Sequence, residues 1–382
     1  MLHFIFWLSI VMILYVYLGY PLLIKLLGRV FPNPVKKQQQ EPIISILIAA
    51  YNEEDHIENT VKNKLQQDYP SDRFEIIVIS DGSEDGTDDI VKEIVKENQN
   101  VRLLRQEPRA GKTSALNQAA AQTRGEIIVF SDANSLYAPD ALRQIVTNFS
   151  DPTVGYVTGK MIYVNPDGSM VGDGCSSYMR YENLLRDAET RIGSVVGVDG
   201  GIDAVRKELY QPMRADQLPD FVLPLSVVSQ GYRVVYEPTA LLHESTLKDS
   251  SDEYRMRVRV SLRAFWALWD MRHLLRWKTN RLFAWQLWSH KVLRYLCFVF
   301  LFSAFLSNFF LLDYGRVYKL LFAGQLVGYF GALLMPYLES KGYRFSALNF
   351  CRYFLLLNVA SAHAFFKFIC GKKQVMWTPR KG

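Results

Sequence analysis

Two oxygen-bearing side chains, Asp132 and Asn134 in Ser131-Asp-Ala-Asn134, stand two positions apart just beyond the apolar run Ile127 to Phe130. Ligands so spaced at a strand end can face one way and hold Mg²⁺ or Mn²⁺ against phosphate oxygens. A cation held there acts as a Lewis acid on a departing diphosphate; the plainer alternative is a strand-to-turn cap. A second apolar run, Ile76 to Ile79, ends on Ser80-Asp81-Gly82. Its carboxylate can accept from a nucleobase N–H or a ribose hydroxyl, although Asp-Gly alone is also a common turn. Arg109, Gly111 and Lys112 open a helical stretch that continues through Ser114 and Asn117. A helix N-terminus with a lysine beside it favours anionic phosphate, against the alternative of an ordinary surface lysine. The glycine spacing is not that of a Walker A loop. Farther on, Pro219-Asp220 leads into Phe221-Val-Leu-Pro-Leu225, where the acid could equally be a helix N-cap.

These residues need a scaffold, and the pattern around them predicts one. Strands are expected at Ile43 to Ala50, Phe74 to Ser80, Val101 to Arg105 and Glu126 to Ser131, with helical spacing at Asp55 to Gln67, Asp88 to Lys96 and Lys112 to Thr123. That βαβα alternation argues for a Rossmann-like α/β sheet covered on both faces. Acids that terminate such strands collect at the C-terminal edge, where open α/β sheets bind ligands. Further strands are expected at Gly155 to Val164, Val195 to Val205 and Arg233 to Tyr236, and helices at Cys175 to Ile192 and Phe221 to Gln230.

The remainder has a different composition. Phe4 to Ile24 is apolar and long enough to span a bilayer, and Lys25, Arg29, Lys36 and Lys37 come directly after it. The positive-inside rule then places the next domain in the cytosol. A cleavable signal peptide lacks its basic n-region and small-residue cleavage site here. The net charge of the 382 residues is +6. Between Glu253 and Arg294 lie ten Lys or Arg and five of the seven tryptophans, the composition of a helix at an anionic membrane surface. No nucleic-acid recognition motif accompanies this charge. Val292 to Leu312 and Val317 to Leu338 read as a transmembrane hairpin turning at Asp313 to Arg316, and Ala347 to Cys370 as a third, re-entrant or interfacial segment. The four cysteines have neither zinc-site nor disulfide-framework spacing.

The islands IISILIAAYNEE, EIIVISDGSEDGT, GKTSALNQA, EIIVFSDAN and PDFVLPL, in this order, resemble the family 2 glycosyltransferases, membrane-bound inverting enzymes of GT-A fold that include polysaccharide-synthesis enzymes. The likeness covers about Ile43 to Glu244 and implies a role for each island. By this resemblance Ala50, Tyr51, Glu53 and Asp81 form a donor-nucleoside pocket, with Arg109, Gly111, Lys112 and Asp132 completing donor binding. It also implies that Asp132 and Asn134 hold Mg²⁺ or Mn²⁺, with His243 (beside Glu244) as a further ligand. The family usually carries a second Asp where this chain has Asn134. Asp220 takes the place of the family's general base, with Asp216 as a fallback. Asp199, Gly200 and Gly201 match a glycine-rich strand beside the acceptor. Arg259, within the cluster Arg255, Arg257, Arg259 and Arg263, would by the same likeness clasp the diphosphate, while the Gln and Trp of processive synthases are missing. The implied reaction moves a sugar from a nucleoside-diphosphate sugar, UDP-sugar above all, to a lipid-linked or growing polysaccharide acceptor at the cytosolic face of a cell membrane. Polysaccharide-export partners would fit such an enzyme and nucleic acid would not. A polyprenyl-phosphate transferase and a non-catalytic assembly partner remain as alternatives. The expected organisation is an anchor at 1–31, a linker at 32–42, the catalytic domain at 43–250, basic Trp-rich interfacial helices at 251–291, a transmembrane hairpin at 292–338, a third segment at 346–371 and a basic tail at 372–382.

Overall fold

The computed structural model describes residues 1–164, 173–245, 250–278, 280–341, 343 and 345–374. At its centre lies a mixed sheet of β1 (Ile44–Ala50), β2 (Phe74–Ser80), β3 (Val101–Arg105), β4 (Ile127–Asp132), β5 (Leu136–Tyr137), β6 (Val154–Val164), β7 (Ile202–Arg206) and β8 (Arg233–Ser245). The spatial order is β3-β2-β1-β4-β7-β6-β8-β5. Strands β3, β2, β1 and β4 run parallel. β7 is antiparallel to β4, β6 is antiparallel to β7, β8 is parallel to β6, and β5 is antiparallel to β8.

Strand alternation explains the two layers. Ile44, Ile46 and Ile48 of β1, with Ile76 and Val78 of β2, pack with the Ile57–Leu65 and Ala141–Thr147 helices on one face. Leu47, Ile77 and Ile79 face the other way, against the Lys112–Ala120, Pro219–Ser229 and Ser250–Asp270 helices. With both faces covered, the strands read as continuous apolar runs. In register, Ala49 lies opposite Asp132 and Ala50 opposite Ser80, so the ends of β1, β2 and β4 share one edge.

Two expected strands have different bounds. The Val195 to Val205 strand forms only from Ile202, because Gly200 takes φ +88° and turns the chain toward the sheet edge. The Arg233 to Tyr236 strand continues to Ser245, pairing with β6 on both sides of an irregularity between Thr158 and Lys160. Pro238 falls within that break, where a missing N–H disturbs no ladder bond. The short β5 had no pattern by which to be expected.

Two helices, Leu2–Val30 and Arg316–Glu339, are long and apolar enough to cross a membrane among the described residues. The first half of the expected hairpin is instead a pair of helices, Arg281–Tyr295 and Cys297–Phe310, bent by 56°. The Ser346–Ile369 helix does not meet that criterion; its Ala360 and Ala364 pack on Val258, Leu262 and Phe265 of the Ser250–Asp270 helix. Tyr20 and Ile24 of the N-terminal helix pack on Leu185, Ala188 and Ile192, tying it to the sheet domain. The linker is docked too, with Lys37 paired to Glu237 and the Gln38 N–H donating to the Thr147 carbonyl. The basic tail expected at 372–382 lies largely outside the described residues, but Lys372 and Lys373 are described, and Lys373 pairs with Asp216.

Candidate active site

A cleft of about 330 Å³ lies at the shared strand edge. Its floor carries Ala49, Asp132, Asn134, Gly200 and Glu244, and one wall is the start of the Pro219–Ser229 helix. Across it lie Met256, Val260, Arg263 and Ala264, one face of the Ser250–Asp270 helix at helical spacing. Arg257, Arg259 and Lys291 complete that side.

Asp132 ends β4, and its Oδ1 accepts from the Lys112 ammonium at 2.6 Å. Burial opposes the lysine's charge, yet Asp132 and Asp220 together hold it protonated well above the ordinary lysine range. Asn134 lines the cleft two residues on. Its loop is held from behind, with Thr60 donating to the Ala133 carbonyl at 2.7 Å and Lys64 to the Ser135 carbonyl at 2.5 Å. Lys64 is fully buried 3.6 Å over the Tyr137 ring, and burial pulls its pKa far down. The carboxylate of Asp132 and the amide oxygen of Asn134 suit a hard divalent cation that takes its other ligands from phosphate and water. Among the described residues no cluster of three or more His, Cys, Asp or Glu could hold a metal by itself.

Asp220 sits one residue inside its helix, after Pro219. Leu218 is the N-cap, so the capping alternative for Asp220 does not hold. Its carboxylate lines the cleft against Gly200, where a β-carbon would come within 2.9 Å of Asp220 Cγ. Burial raises the Asp220 pKa, Lys112 pulls it back, Asp132 adds to the rise, and Arg263 opposes it. Asp216, the fallback base, is instead bound by Arg214 at 3.1 Å and by Lys373.

The nucleoside-side residues are brought together, but not as free groups. Ala50 is buried at the end of β1. Asp81 is wholly buried, accepting from Gln106 Nε2 at 2.5 Å, Ala110 N at 2.9 Å and Gly111 N at 3.0 Å. Arg109 approaches it at 3.5 Å while its guanidinium lies 3.3 Å from the centre of the Tyr51 ring. Asp81 therefore fixes the 106–111 loop, and a base could reach it only by exchanging those bonds. Glu53 lines the cleft.

The acceptor-side residues divide in a way the sequence did not reveal. Asp199 lines the cleft but is paired with buried Arg186 at 2.6 Å. Burial raises its pKa and the guanidinium counters part of that. Gly200 makes room for Asp220, whereas a β-carbon on Gly201 would strike Leu242 in the core. Glu244, not His243, lines the cleft, as expected for neighbours on a strand that point to opposite faces. Arg259 is at the cleft, with Arg263 beside it donating to the Gln217 carbonyl. Arg186 and Lys291 were missed: the first meets Asp199 only through folding, while the second is one of ten basic residues between Glu253 and Arg294 and carried no signal of its own.

Residues 45–200 match the glycosyl transferase family 2 model. The chain is 33% identical over 188 residues to the β-monoglucosyldiacylglycerol synthase of Nostoc sp., covering 48% of this chain and 40% of that protein. It is 29% identical over 221 residues to the poly-β-1,6-N-acetyl-D-glucosamine synthase of Staphylococcus aureus, covering 56% and 53%. The chain thus spans about half the length of these relatives. In fold it is similar to the mannosyltransferase PcManGT from Pyrobaculum calidifontis, whose structure contains GDP-Man and Mn²⁺, with a TM-score of 0.75 and 23% identity over 97% of this chain and 100% of that one. The mixed sheet is accordingly of GT-A type, and the likeness to glycosyl transferase family 2 lies in residues 45–200.

Proposed function

We propose that the chain is an inverting glycosyltransferase moving a sugar from a nucleoside-diphosphate sugar, a UDP-sugar first among them, to a lipid-linked or polysaccharide hydroxyl. The observation that carries this is the placement of Asp220, with its raised pKa, in the same cleft as the Lys112–Asp132 pair. Lys112, Arg259 and Arg263 bind the donor diphosphate, and Asp132 with Asn134 hold a divalent cation. Once bound, that cation draws charge from the leaving diphosphate. The acceptor oxygen bonds to the anomeric carbon as the bond from that carbon to the phosphate oxygen breaks. The bonding pair leaves with the nucleoside diphosphate, and the hydroxyl proton passes to Asp220. The names of the relatives, a glucolipid synthase and a polysaccharide synthase, support acceptors of these two classes.

Membrane attachment belongs to the same reading. Leu2–Val30 and Arg316–Glu339 supply spans, and the bent Arg281–Tyr295 and Cys297–Phe310 pair a third. The Lys373–Asp216 pair keeps the start of the tail on the side of the catalytic domain. The positive-inside rule puts that side in the cytosol. The anchor, linker and catalytic domain expected from the sequence are retained in this proposal, with the bent pair in place of the first half of the expected hairpin.

A screen of UDP-, GDP- and dTDP-sugars for nucleotide release by the full-length protein in detergent, with Mn²⁺ or Mg²⁺ and lipid extract, tests it. Release from one donor that needs the metal is expected. Silence with every donor from folded protein would favour a non-catalytic assembly partner.

A further inference from the structure

We infer that Lys291 holds the phosphate of an anionic lipid acceptor in a second cavity opening beside the catalytic cleft. This rests on the transfer reading above for the word acceptor, though not for the site. The cavity has a volume of about 100 Å³ and shares Arg257, Val260, Lys291 and Tyr295 with the cleft. Its other walls come from Tyr17 of the N-terminal helix and Asn358 and Ser361 of the Ser346–Ile369 helix. It therefore lies where the apolar helices meet the sheet domain. A few water volumes of space suits a compact anion better than a sugar ring.

Lys291 is the distinctive group. It makes no hydrogen bond or ion pair among the described residues. The acids around it are engaged elsewhere: Glu182 with Arg294 and, at 3.4 Å, with His290; Asp199 with Arg186; and Glu189 with His290 at 2.7 Å and Tyr20 at 2.5 Å. Arg257 is likewise held, by Glu253 at 3.3 Å and the Tyr353 hydroxyl at 2.6 Å. The ammonium rests against Gly197, where a β-carbon would overlap it, and 5.7 Å from the Phe221 ring centre. The hydroxyls of Ser261, Ser361, Tyr178 and Tyr295 line the same cavity without hydrogen bonds among the described residues.

A phosphate satisfies this set. A lysine is a point charge with three donors, and a phosphate has acceptor oxygens for it and for the hydroxyls around it. An unpaired cation among apolar helices is costly, and an anionic ligand removes that cost. The lipid chain would then run along the apolar helices, and the group beyond the phosphate would point into the cleft toward Asp220. The phosphate is thus an anchor, and the reacting hydroxyl lies farther along the acceptor.

Native mass spectrometry of the full-length chain in neutral detergent, titrated with dioleoylphosphatidic acid or dioleoylglycerol, tests the site without any donor. Retention of the phosphatidic acid about tenfold over the glycerol lipid is expected. Lys291→Gln should abolish the preference, Lys291→Arg should keep most of it, and circular dichroism and thermal melts matching the wild-type chain should confirm that both variants are folded. Equal retention of the two lipids by the wild-type chain would overturn the inference whatever the variants do. So would an undiminished preference in folded Lys291→Gln. Displacement of the lipid by millimolar inorganic phosphate would assign the cavity to a free anion and overturn the lipid. A nucleotide-release assay run in parallel separates the two claims: no release with the preference intact would remove the acceptor role and leave the lipid-phosphate site.

Discussion

Lys112 and Asp132 form an ion pair of 2.6 Å at the mouth of the sheet edge, with Asp220 acting on the same ammonium. The lysine thus occupies one oxygen of the acid that, in the proposed reaction, holds the cation. In Lys112→Met the cation loses a competitor and the diphosphate loses a donor. Mn²⁺ affinity without nucleotide should rise about tenfold and UDP affinity should fall by a similar factor. Calorimetric titrations of each ligand check the opposed directions; parallel changes would contradict this role for the pair.

Gly200 and Gly231 have nearly the same φ, +88° and +89°, but different surroundings. A β-carbon at Gly200 meets Asp220 at 2.9 Å, while one at Gly231 meets nothing within 4 Å. Both alanine variants should lose roughly 1–2 kcal/mol of stability from the left-handed backbone. Only Gly200→Ala should also lose transfer activity, by at least about tenfold, because it moves the base. Thermal melts and nucleotide-release rates on the two variants make the comparison.

Asp203 lies buried on β7, and burial first, then the charges of Asp220 and Asp199, lift its pKa to about 7, with Thr158 and Tyr156 opposing the rise. The unfolded value is about 3.9. Between these values the folded chain binds more protons than the unfolded one, so stability is greatest at low pH and falls as pH rises from about 4 to 7. Asp203→Asn should flatten that part of the profile, with a gain at pH 8 on the order of a few kcal/mol. Melting temperatures of both proteins from pH 5 to 8 give the answer.

Asp81→Asn should free the 106–111 loop. A neutral amide cannot replace a carboxylate that accepts from Gln106, Ala110 and Gly111, and Arg109 would loosen from Tyr51. A loss of about 2 kcal/mol and a weaker affinity for UDP are expected. Denaturant unfolding and UDP titration check both effects.

Much of this was legible because strands buried on both faces leave long apolar runs that end abruptly. Phe74 to Ser80 and Val101 to Arg105 fall where the sequence puts them, and Asp132, Asn134, Lys112 and Asp220 do meet in one cleft. What could not be read depended on contacts between distant segments. The Arg186–Asp199 pair, the Asp81 loop and the choice of Glu244 over His243 arise from packing and strand register, which no local pattern encodes. The bent helix pair was hidden because apolar composition fixes length and not direction.

The most direct test concerns Asp220 as base. With the donor identified, single-turnover transfer to a hydroxyl acceptor should fall by at least about a thousandfold in Asp220→Asn, with UDP and metal affinities unchanged. Transfer at the wild-type rate in that variant would contradict the account and point to an acceptor, such as a lipid phosphate, that needs no base.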